Sequence, residues 1–266
     1  MNDDANSFII ELVSNASVDI FPDNTLASFT NFLPKQLVLE GEWEVALMEV
    51  GYSTWINNVT TGSFRYVSKI QNDDNIEYST ELKDYSIPSG FYRSTSELFD
   101  AMKNEARKAE DPPLPLMTVD PFDQRVQFTW KSSESVLNLA SADIANMLGF
   151  PSPCIVPAAI KKSPLPADLV RMHSIMMYTD IVEHGIIGNA MAPLLRCFPI
   201  RQKLRNNIAE VNQSMEFISF SQLQFRRVLK NHIHSIKVEL RSETGELIPF
   251  NGIGMTRMTI LFRKCN

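Results

Sequence analysis

Near the carboxyl end, Ile236, Val238 and Leu240 alternate without a break with Lys237, Glu239 and Arg241. That is the period-2 pattern of a strand with one face in a core and the other in water. A turn follows at 242–246, where Gly245 is free to take the positive φ that a short connection needs, and the chain returns through 247–250 to a last strand at 256–264. At the other end Ser7–Val13 is rich in β-branched and aromatic residues and runs directly into the turn formers SNAS. Residues 27–33 read as a second strand stopped by Pro34. Residues 43–52 read as a third, with Trp43, Val45 and Leu47 on one face and Ala46, Met48 and Val50 on the other, as in a central strand covered on both sides. Further strands are expected at 174–182 and 193–199. Many short strands at modest spacing predict a mainly β fold, a sandwich or jelly roll of two packed antiparallel sheets.

The middle of the chain has a different character. Ser94 and Glu97 form a capping box, and Leu98, Ala101, Met102 and Glu105 share one helical face opposite Lys103, Asn104, Arg107 and Lys108. A proline-rich loop, a strand over 126–130, and a second helix from Ser141 to Leu148, stopped by Gly149 and Pro151, complete a small α+β insertion. Residues 151–166 hold five prolines and are expected to form an extended connection. The predicted organisation is residues 1–84 and 167–266 as the β-sandwich, with 85–166 inserted.

With 44% hydrophobic and 21% charged residues, the chain has the composition of a folded globular protein. The amino terminus MNDDANSF has no basic stretch leading into an apolar one, and no apolar run approaches the roughly 18 residues of a membrane span. The expectation is a protein made inside the cell, in cytoplasm or nucleus, without a secretion signal or membrane insertion. Cys154, Cys197 and Cys265 are odd in number and far apart, which points to reduced thiols. The sequons at Asn15, Asn58 and Asn212 are then chance matches. A net charge of −6 repels a polyphosphate and argues against nucleic-acid contact.

Strong catalytic and cofactor signatures are absent: no Gly-x-Ser-x-Gly, Gly-x-x-x-x-Gly-Lys, His-Glu-x-x-His, Cys-x-x-Cys or Gly-x-Gly-x-x-Gly. His232 and His234 would share a strand face and could offer two imidazoles to a metal, but no third ligand lies nearby. Asp180, Glu183 and His184 end a strand where a catalytic pair could sit. Gly185 beside them favours a turn with ion pairs. Arg196, Arg201, Lys203 and Arg205 form one basic cluster and Arg226, Arg227 and Lys230 a second, the latter interleaved with Phe217, Phe220 and Phe225. Such a set could stack single-stranded bases, though aromatics flanking strands more often fill a core. The expectation is no enzyme, no catalytic or metal residue and no cofactor.

Several segments together resemble a known family. SNASVDIFPDNTLASFTNFLP at 14–34, followed by LEGEWEVALMEV at 39–50, is similar to the amino-terminal signature of the minor capsid, or penton, proteins of Polinton/Maverick elements and their adintovirus-like and virophage-like relatives. The resemblance continues through SGFY at 89–92, LNLASADIANMLGF at 137–150, TDIVEHGIIGNAMAPLLR at 179–196 and IKVELRSETGELIPF at 236–250. The chain departs at YSTW, 52–55, where the family tends to place a proline and histidine before the tryptophan, and at Gly188-Asn189, where Gly-Asp is common. The resemblance implies a single jelly roll that forms a homopentamer at the icosahedral five-fold vertices of a virion, between trimers of a double jelly-roll major capsid protein. It carries over no catalytic residue and leaves the subunit interface unassigned. The alternative is a β-sandwich, viral or domesticated in a genome, that binds a host receptor or glycan through its loops.

Overall fold

The computed structural model describes residues 6–67, 70–72, 75–77, 83–108, 114–131, 133, 135–170, 172–200, 215–252 and 254–265. Three strands open the chain: β1 (Ser7–Val13), β2 (Ser28–Val38) and β3 (Trp43–Ser53). There follow β4 (Gly62–Val67), β5 (Ile70–Asn72), β6 (Asn75–Glu77), β7 (Lys83–Ile87), α1 (Thr95–Lys108), β8 (Leu116–Val119), β9 (Arg125–Thr129), β10 (Val136–Leu139), α2 (Ala142–Met147), β11 (Cys154–Pro157) and β12 (Lys162–Pro166). The last third holds β13 (Ser174–Thr179), β14 (Gly185–Ile187), β15 (Ala190–Ala192), β16 (Leu194–Pro199), β17 (Met215–Ser219), β18 (Arg226–Arg227), β19 (His232–Arg241) and β20 (Arg257–Lys264).

Two units with separate cores result, one of residues 1–56 with 172–266 and one of residues 57–171. The sequence placed the insert at 85–166. The difference has a physical cause: β4 pairs with both β7 and β10, so residues 62–67 and 83–87 belong to the insert's own sheet.

In the first unit, one sheet has the order β1-β20-β3-β17, with β18 also on β3, and the other has the order β16-β13-β19-β2. Of the eight framework strands in chain order, the first pairs with the last, the second with the seventh, the third with the sixth and the fourth with the fifth. Nested antiparallel pairs of this kind are one long ribbon rolled into two sheets, which is the jelly roll. Inward rows from both sheets fill the core, among them Leu12, Phe29, Val45, Leu47, Ile175, Met177, Ile236, Val238 and Phe262.

Two expectations are corrected. Pro34 does not stop β2; the strand continues to Val38, because β2 is the edge of its sheet and Pro34 lies where the register with β19 shifts. A proline is tolerated there because no ladder donor is lost. The apolar residues of β3 do not divide as strict alternation has them: Ala46 is buried on the other face, but Val50 is not on that face with it. A register shift against β20 leaves Met48 unpaired, so Val45 and Leu47 before it, and Val50 and Tyr52 after it, enter the same core.

Side-chain amides tie the first connection together. Asn31, inward on β2, accepts from Val13 N at 2.8 Å and donates to Val13 O at 2.9 Å, joining the two sheets as a peptide would. Asn24 does the same for Thr30, accepting from its N–H at 2.8 Å and donating to its carbonyl at 3.0 Å. Ser14 Oγ accepts from Thr256 N, and Thr256 Oγ1 donates to Leu26 O.

The insert carries a four-stranded sheet, β11-β10-β4-β7, and a three-stranded one, β12-β9-β8. Helix α1 starts at the expected capping residues: Glu97 N donates to Ser94 Oγ, and the Glu97 carboxylate accepts from Arg93 N. It buries Leu98, Phe99, Met102 and Ala106; Leu98 and Met102 are as expected, while Phe99 and Ala106 take the buried places expected for Ala101 and Glu105, which are half-buried. Ser141 caps α2, and Gly149 ends it at φ +82°, where an added Cβ would come within 2.1 Å of Leu165 O. Residues 151–166 are extended, as expected, but they are part of the insert's sheets and not a surface connection, since β11 and β12 lie within them. Val156 and Ser163 are buried there, so the prolines fall between inward positions.

Both places where the insert joins the jelly roll are bonded to the connection between β19 and β20. Ile56 bridges Phe250 and Trp55 O accepts from Asn251 N at 3.0 Å. His173 N donates to the Glu243 carboxylate at 2.8 Å. Burial opposes ionisation of Glu243, but the N–H groups of His173, Glu243 itself and Ser174 outweigh it and hold the carboxyl below the usual carboxylate range.

Two outcomes follow for stability. Asn31→Leu strips both partners from Val13 and is expected to lower the unfolding free energy of the jelly roll by about 2–3 kcal/mol, read from urea denaturation. Glu243 contributes stability above its unfolded pKa that is lost as pH falls through its depressed folded value. In wild type, stability therefore drops in acid below about pH 4, and Glu243→Gln flattens that part of the profile.

Candidate functional site

The residues singled out for chemistry fall into separate structural roles. His232 and His234 are both exposed on β19, and His232 Nδ1 lies 3.2 Å from Gln36 Nε2. Among the described residues no group of three or more His, Cys, Asp or Glu side chains is arranged to hold a metal ion. Asp180 accepts from Lys230 Nζ at 2.6 Å and from Lys237 N at 2.9 Å, fastening the end of β13 to β19. Glu183 pairs with Arg227, which also binds Glu42. His184 is exposed at the rim of a shallow pocket with Ile186, Leu194, Phe225 and Arg226. Asp180 and Glu183 are thus spent on the turn and its ion pairs, and they do not meet His184 as a catalytic pair.

The basic clusters are dispersed. Arg196 lies over the Phe220 ring at 3.7 Å and donates to Gln222 O at 3.0 Å, and burial lowers its pKa. Arg201, Lys203 and Arg205 lie outside the described residues, as does the sequon at Asn212. Phe220 packs against the core, 5.8 Å from Phe198, and Phe225 is covered by Arg263 at 3.5 Å. Two of the three aromatics therefore serve packing. Phe217 is the exception, exposed on the outer face of β17. Asn58 is buried and its amide donates to Tyr92 O at 2.8 Å, so this sequon is structural. Cys197 is exposed, while Cys154 and Cys265 are half-buried and burial raises the Cys154 pKa.

What the sequence reading missed is a set of exposed apolar residues on well-fixed backbone. Phe122, 97% exposed, tips the connection between β8 and β9. Its turn is held by Asp120, which accepts from Phe122 N at 2.9 Å, and by Lys162, which donates to Asp120 and stands 2.7 Å from Asp123. The Lys162 ammonium holds both carboxyls below their usual range and is itself raised by them. Ile186 and Met191 face each other across the β14–β15 hairpin, both exposed, with Gly188 at φ +60° in its turn. Ile9 on β1 and Phe217 on β17 stand exposed at the two edges of one sheet. These features are fit for contact with another macromolecule. No helix among the described residues is long and apolar enough to cross a membrane.

No protein-family model matches the chain, and no curated protein does. Among solved structures, it is similar to the mavirus penton protein at 11% identity and a TM-score of 0.47, covering 97% of this chain and 100% of that one. It is also similar to a chain in the structure of the Sputnik virophage, at 9% identity and a TM-score of 0.42, covering 97% and 98% of the two.

One buried polar atom stands apart. Thr179 Oγ1, at the end of β13, has no hydrogen-bond partner among the described residues. Replacing it with the same-shaped Val removes a desolvated hydroxyl and breaks no bond. Thr179→Val is expected to leave stability unchanged or raise it by about 1 kcal/mol in thermal or urea unfolding.

Proposed function

We propose that this chain is a structural capsid subunit without enzymatic activity, the penton protein that forms a homopentamer at the five-fold vertices of a Polinton-type virion. The observation that carries the reading is where the family-like segments fall. Residues 14–34 form the first connection and β2, 39–50 lead into and form most of β3, 179–196 run from β13 through the hairpin into β16, and 236–250 form β19 and its turn. The polar residues in them act as framework bonds: Ser14, Asn24 and Asn31 hold the first connection, Asp180 ties β13 to β19, and Glu243 holds the return from the insert. A resemblance concentrated in framework bonds and turns supports a role in which the shape of the subunit is the function.

In this reading the chain is made inside the host cell and resides in the capsid beside a double jelly-roll major capsid protein. Phe122, fixed on its turn and almost wholly exposed, favours a second role for the same subunit in binding a receptor.

Size-exclusion chromatography with light scattering is the test. The expected species has about five times the 30.2 kDa chain mass. A stable dimer or trimer overturns the reading, because neither rearranges around a five-fold axis. If the chain alone is monomeric, co-expression with the major capsid protein is expected to yield the pentamer.

A further inference from the structure

The pentameric reading leaves the subunit contact unassigned, and the open edges of the sheet β1-β20-β3-β17 supply it. Edge strands that face solvent usually carry a device against pairing with another chain. In the second sheet, β2 has Pro34, Lys35 and a bulge, and β16 ends at Pro199 with a register shift against β13. Strand β1 has none of these: SFIIELV contains no proline and no lysine, and its register with β20 is unbroken from Ser7 to Val13.

The hydrogen bonds show which backbone groups face outward. Ser14 N donates to Thr256 O at 2.8 Å, so the even-numbered residues of β1 bond to β20. Val13 turns the other way, and both its groups meet the Asn31 amide. Asn31 is thus the first rung of a ladder on that edge, and the backbone groups of Ser7, Ile9 and Glu11 continue it with no partner among the described residues. On the opposite edge Phe220 N donates to Met48 O at 2.9 Å, so Glu216 and Ile218 face β3 and Met215, Phe217 and Ser219 face outward.

The side chains agree with the backbone. Ile9 is 55% and Phe217 58% exposed, both on the outer face of the sheet. The Phe217 ring lies on bare Gly51, where an added Cβ would come within 2.5 Å of it. Strand β1 runs antiparallel to β17, and the two are three strand spacings apart, about 14 Å, so they cannot pair within one chain.

We infer that β1 of one copy pairs antiparallel with β17 of a second copy, setting Ile9 opposite Phe217. Ser7 then faces Ser219 and Glu11 faces Met215, so no like charges meet. Each copy offers β1 to one neighbour and β17 to the other. That is a heterologous contact, and it closes when the rotation closes. The inference rests on the pentameric reading.

The test is a cysteine pair in a Cys197→Ser background, which removes the exposed native thiol. Ile9→Cys combined with Phe217→Cys is expected, on mild oxidation, to give a covalent ladder ending at five chains, while each single variant gives none. Ile9→Pro removes only an edge-facing N–H, so it is expected to keep the fold by circular dichroism and lose the pentamer. A wild-type pentamer with no ladder from the pair, and with Ile9→Pro still pentameric, overturns the inference and leaves the vertex reading standing. A ladder that stops at two chains, or a wild-type chain that stays monomeric even with the major capsid protein, overturns both.

Discussion

The pairing of the first strand with the last is the constraint on which the jelly roll depends. Residues 7–13 must find residues 257–263, and that pair encloses the other three, β2 with β19, β3 with β17 and β13 with β16. Little in such a fold is local, so ordering entropy is spent before most contacts reward it. The insert interrupts the ribbon between its third and fourth strands, yet it has its own core, from Val59 to Val156. A segment that folds on its own behaves as a short closed loop for the ribbon, which limits the cost of its length.

Within that scheme, polar side chains do work that backbone alone cannot. Asn31 and Asn24 stand in for peptide groups where the chain leaves one sheet for the other, and Asp180 fastens the end of β13 to β19 within a single sheet. The bulge at Met48 has a related effect. It turns the second half of β3 by one residue, and Met48 O then takes Phe220 N at the point where β17 stops and the chain bows outward before β18.

How much of this was legible follows from how local each cause is. The β19 alternation is visible because its core-facing residues, Ile236, Val238 and Leu240, keep one register with their neighbours. Strand β3 was located correctly but its faces were misassigned, since the bulge at Met48 exists only against β20. Pro34 looked like a terminator because nothing local says that β2 is an edge. The same ignorance hid Ile9 and Phe217: each reads as an ordinary strand residue until the sheet order puts it at a boundary. Helices α1 and α2 were readable from their caps, Ser94 and Ser141, which act within a single turn. Gly185 marks the turn at Asp180 and Glu183 in the sequence, whereas their partners Lys230 and Arg227 are distant in the chain and visible only in the fold.

The joints at Ile56 and His173 have a consequence for how such a chain can change over time. Both are fastened to one stretch, 242–256, which belongs wholly to the jelly roll. The framework thus holds the two stumps whatever is carried between them, and residues 57–171 become an exchangeable cassette. Changes confined to residues 57–171 therefore leave both attachments, and the bonds that hold them, within the jelly roll.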